Sequence, residues 1–300
     1  MLSNVKTTPI TTLSQQLQSI LSKNPKETRH FLPVEFLQQP TVLHTVPIWE
    51  NQDYDFFALW LDPSLSCNAG FFKEDGHSLL FQSHKINHMK ILRCLSHFLV
   101  NNLLITDCQW GGFMLESMKS GFDTTAIFRN YNHKKFCEEN LKKQPQKVNY
   151  LLTNNMIENL GFTYDAIVDI EALNNTHIDL WGQKLEQYLS KLKKGGIIFI
   201  QALVRTHKDF TPYFTPKNQT PTLTEIQQIT KNLGLKIQVL ENLSLHYIKT
   251  TAAWIKNFDE QILNIRNSST YANLWGAYIA LLHAKLICNR EQLVQIVLQK

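Results

Sequence analysis

The chain lacks a hydrophobic run long enough to cross a membrane. Its longest apolar stretch, residues 197–204, has the length of a β-strand and contains Gln201, whereas a membrane helix needs about 20 consecutive apolar residues. The N-terminal segment also lacks the apolar core of a secretory signal. These absences predict a cytoplasmic protein, with peripheral attachment to the inner membrane surface as the alternative.

Paired cysteines of the kind that bind zinc or form a disulfide framework are absent as well. The five cysteines are scattered and form no CxxC motif, which favours a reducing compartment. His84 and His88 have the i, i+4 spacing of two metal ligands on a helix, but no third ligand is evident. We predict no metal site and expect both histidines on a solvated helix face. Cys108 is expected to be a small buried thiol, because no histidine partner lies near it in the sequence.

A strong charge of either sign is also missing. The 300 residues carry a net charge of +5, with 43% hydrophobic and 18% charged residues, as in an ordinary globular protein with a sizeable core. Lysines cluster within residues 142–147 and 191–194; solvated helix ends are the favoured interpretation, and contact with an anionic lipid surface is the alternative. Because basic residues do not alternate with aromatic ones and no recognition motif is present, no nucleic-acid partner is predicted.

What is present is a regular alternation of strand and helix patterns. Strands are predicted at residues 103–106, 124–128, 148–152, 164–170, 196–203, 235–243 and 292–298. Helices are predicted at residues 83–100, 112–120, 132–142, 179–193, 222–233, 250–265 and 271–288. Alternation at this spacing indicates an α/β fold, in which a mainly parallel sheet is covered by helices on both faces.

Residues 1–75 have a different pattern and predict an N-terminal helical extension. An amphipathic stretch covers residues 13–21, and a second helix is expected over residues 54–62, where Pro63 ends it. The aromatic stripe of this second helix, Phe56, Phe57 and Trp60, is expected in the core rather than in a ligand pocket. Residues 76–300 then form the α/β domain.

The sequence LLITDCQWGGF, residues 103–113, is the feature around which the domain is organised. An apolar strand leads into a short turn, and a helix follows the glycine pair. Open α/β sheets use such a turn to present backbone N–H groups to a nucleotide-like ligand. Loops of this kind need glycines where the backbone approaches the ligand, but Asp107 and Gln109 stand in the turn instead.

Three passages together resemble the cyclopropane-fatty-acid synthase family, which includes the mycolic acid cyclopropane synthases. They are residues 55–63 leading into Gly70-Phe-Phe-Lys73, then Cys108-Gln-Trp-Gly-Gly-Phe113, and then residues 246–254. The resemblance implies a Rossmann-like class I methyltransferase fold that uses S-adenosylmethionine (SAM). It implies a seven-stranded sheet whose last strand is antiparallel, and a helical roof over an acyl-chain tunnel, with roof insertions at about residues 204–222 and 250–288.

The positions that would bind SAM in this family are largely altered. The acidic residue that ends the first strand corresponds to Ile105, and Asp107 and Gln109 replace two glycines of the turn, whereas Trp110, Gly111 and Gly112 match. Asp107 would either repel the carboxylate of the cofactor or bind its ammonium group. Other altered positions are Cys67-Asn68-Ala69, Phe128-Arg129-Asn130 and the adenine-binding position, Asn154.

The positions of the reaction centre are altered as well. In the family, a bicarbonate base is held by a cysteine, a glutamate, a histidine and a tyrosine, which correspond here to Ala69, Asn174, Gln201 and Tyr247. Only the tyrosine is retained, either as a relic of the ion site or as a structural hydrogen-bonder, and amides cannot act as a general base. Glu171 lies three residues before the glutamate position and could replace the base only if the end of the strand were remodelled.

These losses favour a degenerate member of the family, a pseudoenzyme that no longer binds SAM. It would act by binding an acyl lipid, or through a protein partner or a second copy of itself. The alternatives are an active, diverged SAM-dependent methyltransferase acting on a lipid or another apolar substrate, and a lipid-binding module at an anionic membrane surface.

Overall fold

The computed structural model describes residues 9–23, 54–74, 78–141, 148–152, 157, 160–206, 220–268 and 272–300. The helices are α1 (Ile10–Lys23), α2 (Tyr54–Ala58), α3 (Leu80–His97), α4 (Gly112–Lys119), α5 (Tyr131–Leu141), α6 (Trp181–Ser190), α7 (Leu223–Asn232), α8 (Ser244–Glu260), α9 (Ile262–Ser268) and α10 (Ala272–Ile287). The strands are β1 (Asn102–Ile105), β2 (Asp123–Phe128), β3 (Val148–Leu152), β4 (Tyr164–Ile170), β5 (Leu192–Arg205), β6 (Lys236–Asn242) and β7 (Glu291–Gln299).

The seven strands form one sheet in the order β3-β2-β1-β4-β5-β7-β6. Strands β1 to β5 are parallel to one another, and β7 lies antiparallel between β5 and β6. The mostly parallel sheet with an antiparallel last strand is thus confirmed. The chain runs outward from β1 to β3 and then returns to β4, so that strand order reverses between β1 and β4. In open α/β sheets, ligands bind beyond the carboxyl ends of the strands at such a point.

Strand β1 shows how the sheet is covered on both faces. Leu103 and Ile105 pack into a hydrophobic cluster with helices α3 and α4, whereas Leu104 packs into a second cluster with helices α6 and α7. Successive side chains of a strand point to opposite faces, and all three are almost fully buried. The predicted helices on both faces are therefore confirmed.

A third hydrophobic cluster forms a roof over one end of the sheet. Helices α1, α2, α8 and α10 contribute to it, with Trp60, Trp254 and Trp275 among its largest members. Phe56 and Phe57 also belong to this cluster, which confirms the aromatic stripe as part of the core. The helix of the N-terminal extension thus packs directly on the roof helices.

Several predicted boundaries need correction. The helix predicted over residues 54–62 ends at Ala58, because the backbone N–H groups of Leu59 and Trp60 donate to carbonyl oxygens three residues back, which tightens the chain into a turn. The helix expected from residue 250 begins at Ser244, whose backbone N–H donates to Asn242. Strand β5 is longer than predicted at both ends. Three predictions lie outside the described residues: most of the insertion at 204–222, the adenine-binding position Asn154, and the lysines at 142, 143 and 147.

Candidate functional site

A pocket opens where strands β1, β2 and β4 end. Its empty volume, including the open mouth, is about 790 Å³. Residues that follow these strands line one side of it, and Trp275 and Tyr278 of α10 line another. The pocket therefore lies at the reversal point of the sheet, beneath the helical roof, where the fold favours ligand binding.

The turn after β1 contains two residues with positive φ. Gln109 has a φ of +48° and Gly111 a φ of +85°. The backbone N–H of Gly111 donates to the carbonyl oxygen of Cys108 over 3.0 Å, which closes the turn before α4. Gln109 thus adopts the left-handed conformation that favours glycine, and for other residues this costs roughly 1–2 kcal/mol.

Asp107 is held by an ion pair at the pocket wall. The carboxylate Oδ2 lies 3.5 Å from the Nε of Arg129, and the Nη2 of Arg129 donates to the carbonyl oxygen of Ala172 over 3.5 Å. The guanidinium therefore connects the turn after β1 to the end of β4. Asp107, Gln109, Arg129 and Asn130 all line the pocket, so the structure brings together these four positions, which the family resemblance assigns to the cofactor site.

Trp110 forms the aromatic side of the same turn. Its ring lies 4.2 Å from that of His133 and 5.7 Å from that of Phe57, between ring centroids. Burial lowers the pKa of His133 to about 4, so this imidazole is neutral at physiological pH. Phe57 therefore belongs both to the core and to the pocket lining, although the sequence analysis treated these as alternatives.

Glu171 lies among the positions that the family resemblance assigns to the reaction centre, and two side chains bind its carboxylate. The Nε2 of Gln201 donates to its Oε1 over 2.8 Å, and the hydroxyl of Tyr247 donates to its Oε2 over 2.9 Å. The backbone N–H of Ala69 also donates to the carboxylate. Asn174 lines the pocket, but its Oδ1 accepts from the backbone N–H of Leu203 over 3.1 Å.

Glu171 was not expected to replace the base, and whether it does so stays a prediction, but its backbone conformation explains its position. Glu171 has a φ of +63° directly after β4, and this left-handed conformation lets its carboxylate meet Gln201 and Tyr247. The conformation of this one residue thus places the carboxylate in the pocket wall. The available signal was its position, because the first residue beyond a parallel strand faces the ligand crevice.

The environment of Glu171 adjusts its acidity. Burial raises the pKa of the carboxyl to about 7, although hydrogen bonds from Gln201, Tyr247 and the backbone of Ala69 oppose the shift. The charge of Asp169 raises the pKa further. At neutral pH the group is therefore present in both protonation states, as general acid–base chemistry requires.

A polar network continues from this carboxylate into the sheet. The Oε1 of Gln201 accepts from Gln295 over 2.8 Å and from Asn87 over 3.2 Å. Lys90 donates to the Oε1 of Gln295 over 3.1 Å and pairs with Glu241. The network thus runs between β5 and β7 to helix α3 and a partly exposed ion pair.

The expectation that His84 and His88 lie on a solvated helix face is wrong. Both are buried, because α3 packs closely against the segment that contains Asp62 and Asn68. His84 contacts the Asp62 carboxylate through Nδ1 and the Asn68 carbonyl oxygen through Nε2, over 2.8 Å in the second case. Both ring nitrogens of His84 therefore have a partner. Among the described residues, no group of three or more potential ligands suits a metal ion.

The prediction for Cys108 agrees with the structure, and that for the lysines agrees only in part. Cys108 is buried, and its thiol lies 3.6 Å from the sulfur of Met114. Of the lysine cluster at 191–194, Lys191 donates to the carbonyl oxygen of Leu160 and Lys193 pairs with Asp165. Only Lys191 lies at a helix end, because Lys193 and Lys194 belong to β5; contact with an anionic lipid surface stays a prediction. No helix in the described part of the chain has the length and apolarity needed to cross a membrane.

Comparison with known proteins supports the resemblance. A probable fatty acid methyltransferase of Pseudomonas putida is 25% identical over 69% of this chain and 56% of its own length, so the match spans about half of that relative. The cyclopropane synthase MmaA2 from Mycobacterium tuberculosis has a TM-score of 0.74 at 17% identity, with 84% of this chain and 95% of that chain covered.

A second solved structure has the same fold. The mycolic acid cyclopropane synthase CmaA1, complexed with SAH and CTAB, has a TM-score of 0.73 at 17% identity, with 82% of this chain and 94% of that chain covered. Finally, the family model described as mycolic acid cyclopropane synthetase matches residues 50–296. This match covers well over half of the sequence, and the chain therefore belongs to the mycolic acid cyclopropane synthetase family.

Proposed function

We propose that this chain is a member of the family that no longer uses SAM and that binds an acyl chain or a similar apolar ligand in its pocket. The observation that carries the proposal is the turn after β1. Two positions where the family resemblance implies glycine carry side chains, Asp107 and Gln109, and both line the pocket. Asp107 is also engaged by Arg129. The residues present therefore do not fit the amino-acid part of SAM.

Two further features support loss of SAM binding. Ile105, at the acidic position of the family, is buried and apolar, so it offers no hydrogen bond to a cofactor. The pocket nevertheless persists beneath an aromatic roof, with Trp110 and Trp275 in its walls, and such walls suit an apolar ligand. Action through a protein partner or a second copy, and a cytoplasmic location, stay predictions.

Calorimetry with SAM tests whether the chain has lost SAM binding. The native chain is expected to show no binding in the micromolar range, because the cofactor would meet two side chains and a paired carboxylate. The Asp107→Gly/Gln109→Gly variant, which restores the glycines, is expected to bind at least tenfold more tightly than the native chain. Micromolar binding of SAM by the native chain would contradict the proposal.

A diverged, active methyltransferase is the second candidate, and Glu171 is the observation that favours it. A carboxyl with a pKa of about 7 beside Tyr247 in the pocket can accept a proton from a bound substrate at neutral pH. This candidate predicts transfer of labelled methyl groups from SAM into an extracted lipid pool, and a large loss of transfer in the Glu171→Gln variant. No incorporation across lipid classes would exclude it.

A further inference from the structure

The carboxylate of Glu171 has a hydrogen-bonding site that the described residues do not fill. An ionised carboxylate has about four acceptor sites. Within the described residues, three donors reach it: the amide of Gln201, the hydroxyl of Tyr247 and the backbone N–H of Ala69. Glu171 also lines the pocket. A ligand in the pocket can therefore supply the remaining donor.

The polar network behind Glu171 keeps this carboxylate an acceptor. Lys90 has only donors, so its contact with Gln295 fixes the oxygen of that amide toward α3. The NH₂ group of Gln295 then donates to the oxygen of Gln201, whose own NH₂ group must face Glu171. The orientation of the whole amide chain thus favours the charged form of the carboxylate.

Asn87 fixes the same orientation independently. Its NH₂ group donates to the carbonyl oxygen of Ala69 over 2.7 Å and to the Oε1 of Gln201 over 3.2 Å. A backbone carbonyl accepts and cannot donate, so this amide cannot be reversed without losing both bonds. The network therefore has two anchors, Lys90 at one end and Ala69 at the other.

The described residues that line the pocket offer Glu171 no compensating positive charge. Among the described lining residues, Arg129 is the cation, and it pairs with Asp107. His133 is neutral at physiological pH, since burial lowers its pKa to about 4. When Glu171 is ionised, the lining therefore carries one net negative charge, which favours a cationic ligand.

We propose that the ligand is an amphiphile whose protonated amino group donates to Glu171 and whose apolar chain lies along the aromatic walls. Phe57, Trp110, Trp275 and Tyr278 line the same pocket, and aromatic faces attract ammonium groups as well as alkyl chains. The inference rests on the proposed function, because it names the chemistry of the ligand that the pocket binds.

Three probes with the same alkyl chain test the inference by calorimetry: dodecylamine, dodecanol and sodium dodecanoate, each below its micelle concentration. The amine is expected to bind at least tenfold more tightly than the alcohol, and the dodecanoate more weakly than either. The Glu171→Gln variant should lose at least tenfold in affinity for the amine and retain its affinity for the alcohol. Retained alcohol binding also shows that the variant is folded. Glu139→Gln, at an exposed carboxylate of α5, is the matched control and should change nothing.

The pH dependence gives a second measurement. With a pKa of about 7 for Glu171, the ionised fraction rises about tenfold between pH 6 and pH 8, and the affinity for dodecylamine should rise by the same factor. The groups that face Glu171 are Asp169, Cys67, Tyr247 and Tyr278. Burial raises the pKa values of the thiol and of both phenols, so those groups stay neutral in this range. The Glu171→Gln variant should show no such rise.

The possible failures are distinguishable. If dodecanol binds as tightly as dodecylamine and Glu171→Gln alters neither, the amine inference is overturned while the apolar pocket stands. Tighter binding of dodecanoate than of dodecylamine would also overturn the amine inference. If none of the three probes binds, the proposed apolar-ligand function itself fails.

Discussion

Gln109 is the residue whose conformation reveals most about the altered turn. Its φ of +48° places it in the left-handed region, which disfavours residues with a Cβ atom. Its backbone N–H lies 3.4 Å from the Oδ1 of Asp107, a long contact that offsets little of this cost. The turn therefore retains a glycine-like backbone that its present residue stabilises poorly.

Substitutions at this position separate backbone strain from side-chain loss. Gln109→Gly and Gln109→Ala both remove the side chain, but only glycine relieves the left-handed strain. We expect the glycine variant to be about 1 kcal/mol more stable than the alanine variant, after allowance for the greater freedom of glycine in the unfolded chain. Urea unfolding measures the difference, and equal stabilities would contradict the backbone conformation described above.

The residues of the site were predictable to different degrees. Asp107, Gln109 and Trp110 could be located because they follow the first strand and share a recognisable turn. Arg129 was placed only as an altered position, and nothing local in the sequence indicated its pairing with Asp107. Glu171 was discounted because alignment by position ignores the change of backbone direction that one left-handed residue produces.

Helix α1 depends at both ends on groups from the far end of the chain. The Asp259 carboxylate accepts from the backbone N–H groups of Ile10 and Thr11, over 2.7 and 3.0 Å. At the other end, the Nη2 of Arg290 donates to the carbonyl oxygen of Leu21 over 2.8 Å. An anion at the N-terminus of a helix and a cation at its C-terminus both interact favourably with the helix dipole.

Removal of the Asp259 carboxylate, which caps the N-terminus of α1, should loosen α1 without unfolding the sheet. Asp259→Ala is expected to cost about 1–2 kcal/mol and to raise amide hydrogen exchange throughout α1, because the first N–H groups lose their acceptor. Asp259→Asn, which keeps one acceptor oxygen, should cost less. Glu260→Ala, at an exposed neighbouring carboxylate, is the control and should leave exchange in α1 unchanged. Exchange that rises equally in β1 and β4 would contradict a local role.

Most helices and strands could be predicted, because their apolar spacing is regular. The errors occur where tertiary contacts decide the boundary, as at Ser244, which begins α8 earlier than predicted. Likewise, the spacing of His84 and His88 shows that they share a face of α3, but not that this face is buried. Sequence periodicity shows which residues share a face of one helix or strand, but it does not show what packs against that face.

At the scale of the whole molecule, one buried ion pair joins the roof to the sheet. Lys285 of α10 and Glu291 at the start of β7 lie 2.7 Å apart, and both are almost fully buried. The tight connection between them is closed by the backbone N–H of Arg290, which donates to the carbonyl oxygen of Lys285 over 2.8 Å. Two charges removed from water stabilise a protein only while they remain paired.

The two members of this pair should therefore behave non-additively. Lys285→Met alone or Glu291→Leu alone leaves a buried charge and is expected to cost about 3–5 kcal/mol, whereas the double variant should cost much less. Urea unfolding of the native chain, the two single variants and the double variant gives the four free energies of unfolding that a double-mutant cycle needs. Breaking the more exposed pair of Lys119 and Glu116 by Glu116→Gln is the control and should cost at most about 1 kcal/mol. Additive effects in the buried pair would contradict this account.

The capping of α1 has a consequence for the order in which the molecule is made. Ile10 is separated from Asp259 by 249 positions, so the helix that is synthesised early lacks its acceptor until α8 has been made. Contacts between residues so distant in sequence form late, because closing a long loop costs entropy. An isolated helix of 14 residues is marginal in water. We therefore expect α1 to be among the last elements to become ordered, after the roof on which it lies.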